Sequence, residues 1–188
     1  MKARESGMPE KEIWERFFDV PKIFSELEIT QKVERLVDFG CGYGTFTIPV
    51  STLISGEVYA FDIEDSLIHE LDSELKINHI KNVCPIKRDF ISEGTGLLNE
   101  DVDYVMLFNI LHSEMAESIL DETYRILKKN GKVGVIHWKY DSSTPRGPSM
   151  GIRPKPEQLK DKLIKSGFSI LKYDIDLPPY HYGILAQK

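Results

Sequence analysis

The stretch Leu36-Val37-Asp38-Phe39-Gly40-Cys41-Gly42-Tyr43-Gly44-Thr45 constrains the fold of this 188-residue chain more than any other. An apolar run ends in an acid, three glycines alternate, and Phe46-Thr47-Ile48-Pro49-Val50 opens a new segment. That order predicts a buried strand, a tight turn and the mouth of a helix. Glycines lack a Cβ, so the backbone can turn sharply and a ligand can lie against it. The helix mouth offers N–H groups with no intrahelical partner to anything negative or polar. A nucleotide-like ligand is expected here, of a kind the turn alone does not specify.

The rest of the chain repeats the strand-then-helix theme. Ile13, Trp14, Phe17 and Phe18 recur at helical spacing on a charged segment, and Ile23, Phe24, Leu27 and Ile29 continue the pattern after Pro21. Residues 1–30 are read as an N-terminal arm with helices that dock on the domain surface or act as a lid over the ligand. Residues 31–188 form the ligand-binding domain. Strands are predicted at Val33–Phe39, Val58–Phe61, Val83–Lys87, Val102–Phe108 and Lys132–Trp138. Helices are predicted at Thr45–Ile54 (with Pro49 in or near its first turn), from Asp65 through Leu75, at Ser113–Lys128 and at Glu157–Ser166. Two last strands, Phe168–Tyr173 and Tyr182–Ala186, flank Pro178-Pro179. This alternation predicts an α/β fold with a mostly parallel, doubly wound sheet covered on both faces.

Ligands in such sheets bind at the carboxyl ends of the strands, at the point where strand order reverses. Three of the five parallel tips carry aspartate: Asp38, Asp62 and Asp89. A strand-end aspartate can simply cap the next helix, but three in register around one glycine turn suggest a shared ligand. Asp62 lies 18 residues beyond Gly44, a reach that suits a carboxylate bonding a ribose diol. Asp89 can accept from an exocyclic amine, with Phe90 or Ile63 flanking a flat base. A dinucleotide fits less well. Its fingerprint wants a third small residue where Thr45 stands, and Asp38 would repel a pyrophosphate. The same carboxylate would attract the ammonium of S-adenosylmethionine.

Taken together these residues resemble the class I S-adenosylmethionine-dependent methyltransferases, from about Ile29 to the C-terminus. The matching positions are Val37-Asp38-Phe39-Gly40-Cys41-Gly42-Tyr43-Gly44, Asp62, Asp89-Phe90, Asp103 through Asn109-Ile110-Leu111-His112, and Arg125 through Lys132. The resemblance implies a seven-stranded sheet with an antiparallel last strand. It also implies S-adenosylmethionine as cofactor, held by Asp38, Gly40, Cys41, Gly42, Asp62, Ile63, Asp89, Phe90 and Asn109.

On the acceptor side, His112 lies just past the fourth tip and is either a proton acceptor or a helix-start residue. Trp138 is either a wall of the acceptor pocket or core. The segment from Lys139 to Lys165 is rich in lysine and arginine, and Arg146 and Arg153 are candidates to hold an anionic acceptor, against the alternative of a solvated basic face. No metal-ligand spacing is present. The expected activity is methyl transfer to a small molecule; the alternatives are an RNA or protein methyltransferase, or a non-catalytic S-adenosylmethionine-binding module. The net charge of −6 argues against nucleic acid, and the absence of a leader or a membrane-length apolar run argues for a cytoplasmic protein. Cys41 and Cys84, the only cysteines, form no framework.

Overall fold

Leu36, Val37 and Phe39 have no exposed surface, as a central parallel strand covered on both faces requires. A computed structural model describes residues 9–112 and 114–188. Two short helices come first, α1 (Lys11–Glu15) and α2 (Val20–Glu26), followed by β1 (Arg35–Phe39) and α3 (Thr47–Leu53). Then come β2 (Glu57–Asp62), α4 (Asp65–Ile77), β3 (Val83–Lys87), β4 (Val102–Phe108), α5 (Ala116–Ile126) and β5 (Leu127–Trp138). The chain closes with α6 (Pro156–Lys165), β6 (Ser169–Leu177) and β7 (His181–Gln187). The seven strands form one sheet in the order β3-β2-β1-β4-β5-β7-β6, with β1 to β5 parallel and β7 antiparallel to both its neighbours. The order reverses between β1 and β4, so their carboxyl ends bound the cleft where ligands of such sheets bind.

Alternate residues of each strand face opposite layers. Val37, Phe39, Val105, Leu107, Val133 and Val135 pack on one face with Ile119, Leu120, Leu159 and Leu163 of α5 and α6. Leu36, Tyr104, Met106 and Ile136 pack on the other with Ile23, Phe24 and Val50 of α2 and α3. Leu71 and Leu75 of α4 join that side over Ala60 and Cys41.

Several boundaries differ from the sequence reading, each for a local reason. Helix α3 begins at Thr47, so Pro49 sits in its first turn, where a missing N–H costs nothing. Helix α5 begins at Ala116 rather than Ser113, which lies outside the described residues. It ends at Ile126 rather than Lys128, because Leu127 is already paired with Val102. The Lys129-Asn130-Gly131 run therefore belongs to an irregular entry into β5, with Asn130 at φ 67° and the register shifted before Lys132 meets Tyr104. The last helix starts one residue early, with Pro156 at its first position.

One side-chain contact fixes α2 over the sheet. The buried Tyr104 hydroxyl donates to the Leu27 carbonyl at 2.7 Å, closing the C-terminal end of that helix. The room for it comes from Gly134: a Cβ there would lie 2.3 Å from the Tyr104 hydroxyl and 3.3 Å from Leu27 Cδ1. A Gly134→Ala change should therefore destabilise the protein by about 1–3 kcal/mol in urea unfolding, as overpacking does. Adding Tyr104→Phe, which removes the clashing oxygen, should recover part of that loss. An unchanged midpoint in the single variant would contradict this account of how α2 is seated.

Candidate active site

The glycine turn is fastened to the tip of β2. The N–H groups of Gly40 and Cys41 both donate to the Phe61 carbonyl, at 2.8 and 3.0 Å. The Gly42 N–H donates to Asp62 Oδ2 at 3.0 Å, and Asp62 Oδ1 accepts from the Glu64 N–H at 2.9 Å. The turn reverses through left-handed backbone at Gly40, Gly42 and Gly44, with φ of 73°, 53° and 80°, a region that favours glycine. At Gly40 the requirement is also steric, since a Cβ would stand 3.0 Å from Ile110 Cγ2. The tips of β1 and β4 thus approach each other across the cleft.

Two carboxylates are buried at this turn. Asp38 is 2% exposed and accepts from the Thr47 hydroxyl at 2.6 Å, tying the end of β1 to the start of α3. Burial raises its pKa to about 7, against the Thr47 bond, which favours the ionised form, and with repulsion from Asp62 adding to the rise. Burial raises Asp62 as well, opposed by the N–H donors of Glu64, Gly42 and Ile63. Burial and the two carboxylates also push the Cys41 thiol well up, which makes it a packing residue in the turn and not a nucleophile. Asp38, with the Thr47 hydroxyl as its one side-chain partner, is a buried acid that a cationic group would neutralise.

The adenine-side candidates divide. Asp89 Oδ1 accepts from the N–H groups of Ile91 and Ser92, at 3.2 and 3.3 Å, and so organises the turn after β3. The Phe90 ring packs into the core, with centroids 4.5 Å from Phe39 and 6.4 Å from Phe61. The Phe90 side chain is thus packed in the core, and half-buried Ile63 is the more open side chain at this edge. Across the cleft, Asn109 has φ 60° and its N–H bonds the Ile136 carbonyl at 2.9 Å. Both of its side-chain amide atoms are buried without a hydrogen-bond partner in the protein. Unpaired buried polar atoms are costly, and a ligand that supplies partners removes the cost.

The acceptor-side candidates also divide. His112 is half-buried at the β4 tip, its ring 5.6 Å from that of His137. His137 is fully buried and stays neutral, its pKa pushed well down by burial and by neighbouring His112. Trp138 has no exposed surface and sits among the rings of Trp14, Phe17, Tyr180 and His181. Arg146 is exposed on the loop after β5. Arg153 is 7% exposed and donates to the carbonyls of Lys139, Asp141, Arg146 and Pro148 and to the Thr144 hydroxyl. With its donors engaged inside the loop, Arg153 is a strut, and this corrects the expectation that it grips an anionic acceptor. Among the described residues no three His, Cys, Asp or Glu side chains converge as a metal site.

The sequence reading left two participants out. Tyr180 and His181 stand at the same end as the β5 tip because β7 runs antiparallel and begins where β5 ends; Trp138 is paired with His181. The predicted antiparallel strand contained that signal. The aromatic residues of the N-terminal segment dock on this end as well, and the Tyr43 hydroxyl in the glycine turn donates to the Pro9 carbonyl at 3.2 Å. Lys11 pairs with Glu74 of α4. Residues 9–18 therefore run from the glycine turn to the β5 tip, alongside the cleft.

Comparison with known proteins agrees with this geometry. A family model described as a methyltransferase domain matches residues 36–131. A tRNA(Phe) (4-demethylwyosine(37)-C(7)) aminocarboxypropyltransferase from Methanocaldococcus jannaschii is 29% identical over 148 residues, covering 78% of this chain and 54% of that protein. A ribosomal protein L11 methyltransferase from Bacillus velezensis is 26% identical over 148 residues, covering 77% of this chain and 40% of that protein. The chain thus spans about half the length, or less, of these relatives. The crystal structure of a SAM dependent methyltransferase from Aquifex aeolicus has the same fold, with a TM-score of 0.83 at 21% identity over 95% of this chain and 93% of that one. The family match covers the glycine turn, all three tip aspartates and the β4 tip, and the chain belongs to the class I S-adenosylmethionine-dependent methyltransferases.

Proposed function

We propose that this protein transfers a methyl group from S-adenosylmethionine to a small-molecule acceptor. The observation that carries the reading is the pair of buried carboxylates, Asp38 and Asp62, fixed around a glycine turn at the switch point of the sheet. The bound sulfonium supplies an activated methyl group with its own leaving group. Asp38 would hold the amino-acid ammonium, and Asp62, with lone pairs left after its two backbone bonds, would accept from the ribose hydroxyls. Ile63 and Asp89 line the edge where the base would lie. Asn109 would present its backbone and amide to the reacting end of the cleft.

The protein's contribution to such a transfer is alignment of the acceptor lone pair with the methyl carbon, in a site cleared of water. His112, half-buried at the β4 tip, would be the group to receive a proton from the acceptor. The support for a small acceptor is the covering of the β5 tip by aromatic side chains and by a loop folded around Arg153. A macromolecular acceptor is the second reading, and the names of the two relatives favour it. Incubating the protein with methyl-labelled S-adenosylmethionine and a cell extract, then separating by size, tests both. Label in the low-molecular-weight fraction is expected; label confined to RNA or protein would overturn the small-molecule reading.

Two predictions concern the carboxylates. An Asp62→Ala change removes a charged acceptor worth about 1.5–3 kcal/mol per bond, so cofactor affinity should fall at least about tenfold. Calorimetry on the folded variant checks this, and wild-type affinity would mean that Asp62 does not reach the ribose. Asp38 titrates near 7, and only its ionised form attracts an ammonium. Affinity for S-adenosylmethionine should therefore rise with pH up to about 7 and level off above it, falling by up to about tenfold per unit on the acid side. In Asp38→Asn that dependence should be absent; a wild-type profile flat from pH 5.5 to 8 would exclude the pairing.

A further inference from the structure

We propose that the acceptor is a flat aromatic molecule, neutral or anionic, that stacks on Trp138 and Tyr180 beneath the N-terminal aromatic segment. The inference rests on the methyl-transfer reading of the cleft. Four rings from three separate parts of the chain meet at the β5 tip. Trp138 stacks with Tyr180 at 6.1 Å and 23°, while Phe17 meets both edge-on, at 5.4 and 5.8 Å, and Trp14 lies 6.2 Å from Trp138. A ligand ring replacing the Phe17 edge would gain a face of Trp138, the geometry aromatic pairs favour.

The polar groups around this stack say what else the ligand needs. The Trp138 indole N–H is buried without a partner, and so are both amide atoms of Asn109 at the next tip. A ring hydroxyl can accept from the indole and amide N–H groups and donate to Asn109 Oδ1, while a carboxylate or ring nitrogen can accept from the N–H groups alone. A cationic amine is poorly served. Among the described residues the buried carboxylates, Asp38 and Asp62, belong to the cofactor side, while the buried titratable side chains near the stack are His137, His181, Tyr182 and Arg153. No buried acid replaces the water an ammonium would lose.

The covering segment contributes no strand to the seven-stranded sheet and would part from the β5 tip for the acceptor to enter. Among the described residues, and apart from its ring contacts, residues 9–18 are held by the Tyr43–Pro9 hydrogen bond, the Lys11–Glu74 ion pair, a bridge between Phe18 and Pro179 and a polar contact between the Phe17 backbone and His181. Surface contacts of this kind are weak.

The test is direct because both tryptophans of the chain, Trp14 and Trp138, are in the stack. Calorimetry first establishes that S-adenosylhomocysteine binds. Tryptophan fluorescence of that complex is then titrated with catechol, 4-hydroxybenzoate, cyclohexanol and benzylamine. Saturable quenching by catechol and 4-hydroxybenzoate, with neither control doing the same, is the expected result. Trp138→Leu should weaken the aromatic probes at least about fivefold, followed through Trp14, and should leave S-adenosylhomocysteine affinity within about twofold. Tyr180→Leu, at a half-buried position, provides the same test should the first variant fail to fold. Equal binding of cyclohexanol or benzylamine, or normal S-adenosylhomocysteine binding with no response to either aromatic probe, overturns the proposal. Failure of S-adenosylhomocysteine itself to bind would bring down the methyl-transfer reading first, and the proposal with it.

Discussion

Everything at the cleft depends on the bond between the Gly42 N–H and Asp62, backed by the two N–H groups that share the Phe61 carbonyl. These three contacts hold the loop after β1 against the tip of β2, and so fix where the helix mouth points. They also close the turn over Asp38, whose carboxyl is left with one hydrogen bond, from Thr47, and almost no water. Burial, with repulsion from Asp62 adding to it and the Thr47 bond opposing it, raises the pKa of that carboxyl to about 7. A positive charge from outside would complete its environment, and this supports the proposal that the turn favours a cationic ligand over a diphosphate.

The other half of the cleft follows from topology. Placing β7 antiparallel beside β5 returns the chain to the strand tips, so Tyr180 and His181 face the end of β5 with no added domain. The loop after β5 wraps the Arg153 guanidinium, which binds five oxygens and gives a proline- and glycine-rich segment one defined shape. Burial pushes the His181 imidazole down to about 3, with the Lys139 charge adding to the shift and the Phe17 backbone opposing it. His137 is likewise neutral, so the side chains gathered at the β5 tip are mostly aromatic and uncharged, with the Arg153 guanidinium engaged by the loop.

The strand, the turn and the strand-tip acids were legible because their signals are local: an apolar run, an acid, alternating glycines and a proline suited to a first helical turn. The doubly wound order was legible from alternation; the antiparallel last strand was implied by the family resemblance and supported by the Pro178-Pro179 break. Burial that depends on distant contacts was not. Phe90 follows a tip aspartate and reads as a base flank, yet its ring is claimed by Phe39 and Phe61. Arg153 reads as a free cation in a basic stretch, yet its partners lie up to 14 residues away in a loop whose path no periodicity encodes. The N-terminal aromatic stripe was visible, but its position along the cleft depends on Tyr43 and Glu74, which carry no mark of that contact.

The central claim is that the glycine turn and its two buried acids select a sulfonium amino-acid nucleoside. Isothermal titration of the purified protein with S-adenosylmethionine and, separately, with NAD tests it most directly. Saturable one-to-one binding of S-adenosylmethionine, with no heat from NAD at the same concentrations, is predicted. Binding of NAD alone would contradict the account of the cleft.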